Sequence, residues 1–268
     1  MDAERTPREE LLDIVAGVKD RVKTRGAASL STRRARAAAG AAPASAAAVS
    51  APMSGSSAEE RLRALRDGLA DCRLCPLGST RIRLAFGVGN PEARVMLIGE
   101  GPGYMEDRQG EPFVGPAGQL LDKILAAIDL SRQPVQPAWK WVYITNMVKC
   151  HPMKDPSHPD QRGNDRPPTP PEMETCSPFL AEQIRIVRPA FVLALGATAA
   201  KALLNTSQGV TVLHGKWFDF TVEGAPPMRL MPTYHPAAIL RDPSLKRPVW
   251  NDMKAFRDEL TRTVGAAS

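Results

Sequence analysis

Three groups of residues in this 268-residue chain have types and spacings that can do chemistry. The first is a set of thiols: Cys72 and Cys75 form a Cys-x2-Cys pair, while Cys150 and Cys176 stand apart with 25 residues between them. Zinc usually takes two close pairs, whereas one close pair plus two distant cysteines suits a four-thiolate iron-sulfur site; four unrelated buried thiols are the plain alternative. A disulfide framework fits poorly in a chain this long and in a reducing compartment. The second group is the turn Gly99-Glu100-Gly101-Pro102-Gly103. Its glycines would let backbone N–H groups approach an anion. No P-loop lysine follows, the dinucleotide fingerprint is not matched and Pro102 stiffens the turn, so the carboxylate of Glu100 is its most informative feature. The third group is a scatter of single side chains. Asn146 could satisfy a loop backbone, and His235 could cap a turn before Pro236. Phe113 lies on a stretch punctuated by proline and glycine, outside any periodic stripe. Its ring either faces a ligand or anchors the loop in the core.

These residues need elements that bring them together, and the apolar patterning supplies them. Val95 to Ile98, Trp141 to Val148, Ala190 to Leu195 and Met228 to Thr233 read as buried strands. Helices are expected at Ala117 to Ile128, at about Glu172 to Val187 and at Ala197 to Leu204. A last helix after Pro248 carries Val249, Met253, Phe256 and Leu260 on one face. No helix is expected between Tyr104 and Ala117. Strands alternating with helices specify a three-layer α/β/α sandwich around a central, mainly parallel four-stranded sheet. Such sheets hold ligands beyond the carboxyl ends of their strands. The four strands run into Gly99 to Gly103, Asn146, Gly196 and Tyr234-His235-Pro236, so a carboxylate, an amide and an imidazole are expected on one rim.

A content of 43% hydrophobic residues supports one substantial core with a small appendage. The folded domain is expected over residues 58–268, opening with the helical stripe Leu62, Leu65 and Leu69 that leads into Cys72. Residues 1–57 read as an extension. Thr6, Pro7 and Glu9 start a short helix, and the stretch from Arg21 to Ser50 carries six basic and no acidic residues among many alanines. Too little large apolar surface is present there to offset ordering entropy, so it reads as a solvated linker; a basic arm that holds DNA is the sharper alternative. No apolar run approaches the roughly 20 residues that cross a bilayer. A cytoplasmic, monomeric protein is expected. The net charge of +6 suits a polyanionic partner.

The turn at Gly99 to Gly103, with Glu106-Asp107, Pro112-Phe113-Val114-Gly115 and Ala117-Gly118, resembles the first motif of the iron-sulfur uracil-DNA glycosylases of bacteria and archaea, often called family four. Tyr143-Ile144-Thr145-Asn146 followed by Val148-Lys149-Cys150, and His235-Pro236 followed by Ala238-Ile239-Leu240-Arg241, are similar to its later motifs. The resemblance spans about Leu62 to Leu260. It implies hydrolysis of the bond between uracil and deoxyribose after the base is extruded from DNA. Phe113 would stack on that base, and Asn146 would pair with its O4 and N3–H edge. His235 would donate to O2 as charge builds on the leaving base. Glu100 would stabilise the sugar cation and position water, with Glu106 a second candidate for that water. Gly101 lines the substrate side, where relatives in the wider superfamily carry Asp or Asn. The resemblance also implies a structural 4Fe-4S cluster on Cys72, Cys75, Cys150 and Cys176.

Arg241 and Lys201 are expected to hold DNA phosphates. The proline-rich stretch from His151 to Pro171, with His158, Arg162 and Arg166, lies between two cysteines and is expected beside the DNA rim. A related branch traps uracil-DNA covalently through a Lys-Arg-Arg-Ile-His motif that this chain lacks; His158 would be the residue to suspect. The competing class is a non-catalytic module that binds damaged or single-stranded DNA.

Overall fold

The structure is a computed structural model that describes residues 56–265. The short helix expected from Thr6 and the basic stretch from Arg21 to Ser50 lie outside the described residues. The first described element is helix α1 (Ala58–Gly68), opened by a capping box in which Ser57 and Glu60 satisfy each other's backbone N–H groups. A single helical turn, α2 (Leu77–Thr80), follows the Cys72/Cys75 loop.

The parallel strands sit where the apolar runs place them: β2 (Val95–Gly99), β3 (Tyr143–Asn146), β4 (Phe191–Leu195) and β6 (Met228–Thr233). Among the described residues the sheet has six strands rather than four. β1 (Val88–Gly89) and β5 (Phe218–Phe220) add antiparallel edges, giving the order β1-β3-β2-β4-β6-β5. Edges of two and three residues, partly exposed, are too short to leave an apolar run or an alternation in the sequence. β3 is likewise shorter than its apolar run, because the chain turns out of the sheet after Asn146.

Side chains of the central strands alternate between two apolar layers. Met96, Ile98, Val192, Ala194 and Leu230 face α1, α5 (Pro170–Val187) and α6 (Ala197–Leu204). Val95, Leu97, Leu193, Leu195 and Met231 face α4 (Pro116–Ala127), α8 (Pro236–Arg241) and α9 (Lys246–Gly265). Both faces of the sheet are therefore covered, and the three-layer arrangement follows from burying both. Truncating a buried strand residue such as Leu97 to Ala would cost about 2–5 kcal/mol. Among the described residues no helix is long and apolar enough to cross a membrane.

Two further elements matter to the rim. Tyr104–Gln109 forms a helix, α3, where a loop is expected. Its sequence carries no apolar stripe; it is held instead by Asp107, fully buried, which accepts the Ile82 N–H, and by Gly110 closing its C-terminus in the left-handed region. The other is the single turn α7 (Val210–Leu213) beside the end of β6.

Candidate functional site

The carboxyl ends of β2, β3, β4 and β6 open into a cleft of about 810 Å³. Glu100, Gly101, Glu106, Phe113, Asn146 and His235 all line it, so the six expected substrate-side residues share one cavity. Arg241, Arg162 and Arg166 stand on its wall. Two basic residues singled out in the sequence lie off the cleft. Lys201 projects from the exposed side of α6 and does not line the cleft, because the helix turns its small residues Ala199 and Ala200 inward. His158 is exposed, bonds Asp155 through Nδ1 at 2.8 Å and also stands off the cleft.

Asn146 ends β3 directly beside Gly99 at the end of β2. It is 1% exposed, and its Oδ1 has no hydrogen-bond partner. A buried acceptor left unpaired costs about 1–3 kcal/mol, so this atom is poised for a donor arriving through the cleft. Gly99 makes that placement possible. A Cβ there would lie 2.4 Å from Asn146 Oδ1 and 2.5 Å from Phe113 Cζ.

Phe113 adopts φ 57°, a left-handed conformation that costs a non-glycine residue on the order of 1–3 kcal/mol. Several contacts hold it there. Glu106 Oε1 accepts the N–H groups of Val114 and Gly115, each at 2.9 Å. Arg132 bonds the Pro112 carbonyl at 3.1 Å and Asp122 at 2.7 Å. Gly118 lets α4 pass under the loop, since a Cβ there would meet the Phe113 carbonyl oxygen at 1.8 Å. The ring is 5% exposed and stacks against His235, with centroids 5.4 Å apart and planes 26° from parallel. Phe113 anchors its loop in an apolar layer and also lines the cleft.

His235 caps α8, and its Nδ1 accepts the Ala237 N–H at 3.1 Å. That bond assigns the ring proton to Nε2, leaving a neutral donor. Burial, with the Arg241 cation adding to it, pushes the imidazole down to about 4. Glu100 is half-buried at the end of β2 and accepts a hydrogen bond on Oε2 from the hydroxyl of Thr198, in the first turn of α6. Thr198 lines the cleft too. Sequence reasoning passed over it, although a hydroxyl two residues after the Gly196 strand end marks a rim position.

The stretch between Cys150 and Cys176 reaches the cleft through ion pairs. His151, fully buried, bonds Asp165 at 2.7 Å, and Asp165 accepts the Tyr104 N–H at the start of α3. Arg166 pairs with Glu172 through two bonds of 2.8 and 2.7 Å at the N-terminus of α5, whose capping box uses Thr169. Arg162 and Arg108 both lie over the Tyr104 ring, with their Cζ atoms 5.6 and 3.6 Å from its centroid.

The four cysteines are all free thiols; Cys75, Cys150 and Cys176 gather around Leu77 and Val148, with Cys150 buried at the centre, and Cys72 packs against the adjoining core layer. Among the described residues no three ligands close into a cage of the kind a single metal ion takes. A four-iron cluster holds its thiolates further apart than one ion does, so a looser gathering is what it requires. Burial pushes the Cys150 thiol up to about 11, and burial raises Cys176 as well, so neither would ionise unaided. Yet Arg81 donates to Cys150 Sγ at 3.2 Å, and Lys149, next to Cys150 in the chain, is buried. Two cations around reluctant thiols suit sulfurs that a metal cluster deprotonates.

The family model described as "Uracil DNA glycosylase superfamily" matches residues 86–254. A type-4 uracil-DNA glycosylase of Archaeoglobus fulgidus is 36% identical over 190 residues, covering 69% of this chain and 86% of that protein. Proteins of the same description from Pyrobaculum aerophilum and Thermotoga maritima are each 36% identical over 199 residues. These matches cover 73% of this chain in both cases, and 92% and 93% of the two relatives.

Proposed function

This chain belongs to the uracil DNA glycosylase superfamily and, within it, to the type-4 enzymes, and from that premise we propose that it excises uracil from DNA by hydrolysis and leaves an abasic site. The observation that carries the substrate is the orphaned Oδ1 of Asn146. Uracil offers N3–H to that oxygen and O4 to the amide nitrogen, whereas cytosine reverses both groups and leaves two buried mismatches. The base is extruded to reach this atom, with the Phe113 ring as its stacking surface.

As the glycosidic bond breaks, electrons pass to the base and positive charge develops on the sugar. His235 donates its Nε2 proton as a hydrogen bond to O2, a contribution of about 3 kcal/mol at a developing oxyanion. Glu100, oriented by Thr198, stabilises the sugar cation and places the water that adds to it. Glu106 serves the reaction through the loop, because its Oε1 is taken by Val114 and Gly115. Gly101 leaves the substrate side without a side chain, so the carboxylate for water comes from Glu100. Arg162, Arg166 and Arg241 meet the DNA backbone.

Cys72, Cys75, Cys150 and Cys176 would hold a 4Fe-4S cluster, which when bound supplies a rigid tie between the loop after α1 and the exit of β3. We take the active species to be a monomer that turns over. The exposed, Asp155-paired His158 supports turnover rather than covalent trapping. The deciding assay incubates the protein with a uracil-containing oligonucleotide and scores alkali-labile sites together with free uracil. Binding without either product would leave the non-catalytic module as the correct class.

A further inference from the structure

Behind the rim, the end of β6 is held by a carboxylate that the reaction above does not use. Asp252, on α9, is 4% exposed and accepts the Thr233 hydroxyl on Oδ2 at 2.7 Å. His214, the residue that closes α7, donates from Nδ1 to the two oxygens of the same carboxylate at 3.0 and 3.1 Å. Among the described residues no arginine or lysine joins that pair. The chain is shaped around this group: Gly215 takes φ 70°, and a Cβ there would lie 2.5 Å from Asp252 Oδ1.

A buried carboxylate of this kind is a poor source of stability, because desolvation offsets what its contacts return and an apolar side chain could fill the space as well. What it supplies is placement. Thr233 and Tyr234 are the two residues immediately before His235. Asp252 holds the first directly and the second through His214, whose ring lies against the Tyr234 ring with centroids 4.8 Å apart. Backbone bonds complete the mount: the Gly215 N–H donates to the Pro232 carbonyl at 3.0 Å, and the Gly196 N–H to the Thr233 carbonyl at 2.9 Å. His235 leaves the strand so close to Gly196 that a Cβ on that glycine would lie 3.0 Å from its own Cβ. The strand end therefore decides where the imidazole stands, and a misplacement of about 1 Å at a reacting centre can cost about 10²-fold in rate.

We propose that Asp252 is a positioning residue for excision: through the Thr233 hydroxyl and the His214 ring it fixes the exit of β6, and so sets where the His235 Nε2–H meets the leaving base. The inference rests on the reading of His235 as the donor to O2. Neither Asp252 nor His214 lines the cleft, so the effect falls on the chemical step and not on the capture of DNA.

The experiment uses the full chain and measures two quantities for each variant: the single-turnover rate of uracil release, and the Kd for a uracil strand made uncleavable by a fluorinated sugar. Asp252→Asn and Thr233→Val should each slow release about tenfold, the size of one buried hydrogen bond, and leave Kd within about twofold. Thr233→Ser keeps the hydroxyl and should run at the wild-type rate. In a His235→Ala background Asp252→Asn should add less than about twofold, because the imidazole through which it acts is gone. Wild-type rates in both Asp252→Asn and Thr233→Val, losses that multiply with His235→Ala, or a loss carried wholly by Kd overturns the proposal. Should Asp252→Asn fail to fold, the Thr233 pair carries the test, and equal rates in the serine and valine variants overturn the proposal. Failure of the underlying reading is separate: wild type that releases no uracil refutes the glycosylase, and His235→Ala at the wild-type rate refutes the donor, each without reference to Asp252.

Discussion

His235 offers a test in which protonation, stability and catalysis all point the same way. Its Nδ1 is occupied by the Ala237 N–H, and burial pushes its pKa down to about 4. At pH 5.5 an ordinary imidazole with a pKa near 6.5 would be about nine-tenths protonated, whereas this one would be protonated in only a few per cent of molecules. The neutral Nε2–H donor therefore persists across the range in which most histidines switch. Single-turnover excision should stay flat from about pH 8 down to about pH 5.5, apart from limbs that other groups impose. His235→Ala should lower the rate about 10²- to 10³-fold, the cost of removing one donor at a developing oxyanion. The same shift has a sign for stability. The folded pKa lies below the unfolded one, so the unfolded chain binds more protons between about 6.5 and 4. The contribution of this residue is present above that window and is lost as pH falls through it, amounting to about 3 kcal/mol. Denaturant midpoints measured against pH for wild type and His235→Ala should diverge least below about pH 4. The assay that decides is the pH dependence of excision by rapid quench with a uracil oligonucleotide. An excision rate that climbs as pH drops through 6.5, with that limb missing in His235→Ala, would make the imidazolium the donor and refute the neutral-donor argument.

Three further perturbations separate roles that the geometry assigns. Asn146→Asp should relax discrimination, because a carboxylate offers no donor to uracil O4; the ratio of excision from U·G and C·G oligonucleotides should fall at least tenfold, and an unchanged ratio would remove Asn146 from base reading. Thr198→Ala should slow single-turnover excision about tenfold by freeing Glu100, and adding it to Glu100→Gln should produce little further loss. Independent losses from the two changes would mean that the hydroxyl does not act through the carboxylate. Glu106→Gln keeps an oxygen acceptor for Val114 and Gly115, so it should remain within about threefold of wild type, whereas Glu106→Ala should destabilise the loop by about 1–3 kcal/mol and expose it to proteases. Equal, severe loss of the chemical step in both variants, with intact stability, would give Glu106 the water instead.

The parts of this molecule legible in the sequence are those where chemistry and periodicity coincide. β6 and α6 sit where their apolar patterns place them, and the rim that gathers Glu100, Asn146 and His235 follows from strands that must all end on one side of a parallel sheet. What escaped was set by contacts distant in sequence. α3 has no stripe of its own and exists because Asp107 is buried against the Ile82 backbone. The edges β1 and β5 are pairings of two and three residues, defined by their partners rather than by their composition. The direction of α6 decided that Thr198 would reach Glu100 and that Lys201 would point away, a choice that a list of residue types does not contain.

Glu106 shows the same limit at the level of chemistry. Two carboxylates beside one glycine-rich turn look interchangeable as candidates for moving a proton, and residue type cannot rank them. Hydrogen-bond supply can. Both backbone N–H groups that would otherwise be stranded by the left-handed turn at Phe113 converge on Glu106 Oε1, whereas Glu100 receives one hydroxyl and remains half-exposed to the cleft. A carboxylate oxygen that accepts two amide bonds is fixed in place, suited to holding a strained loop. Glu100, held by a single contact at the end of a strand, keeps an oxygen free for water and lies where the sugar must pass. The turn at Phe113 and the assignment of the water are therefore one problem: the strain that points the ring into the cleft needs Glu106, and that need leaves the chemistry to Glu100.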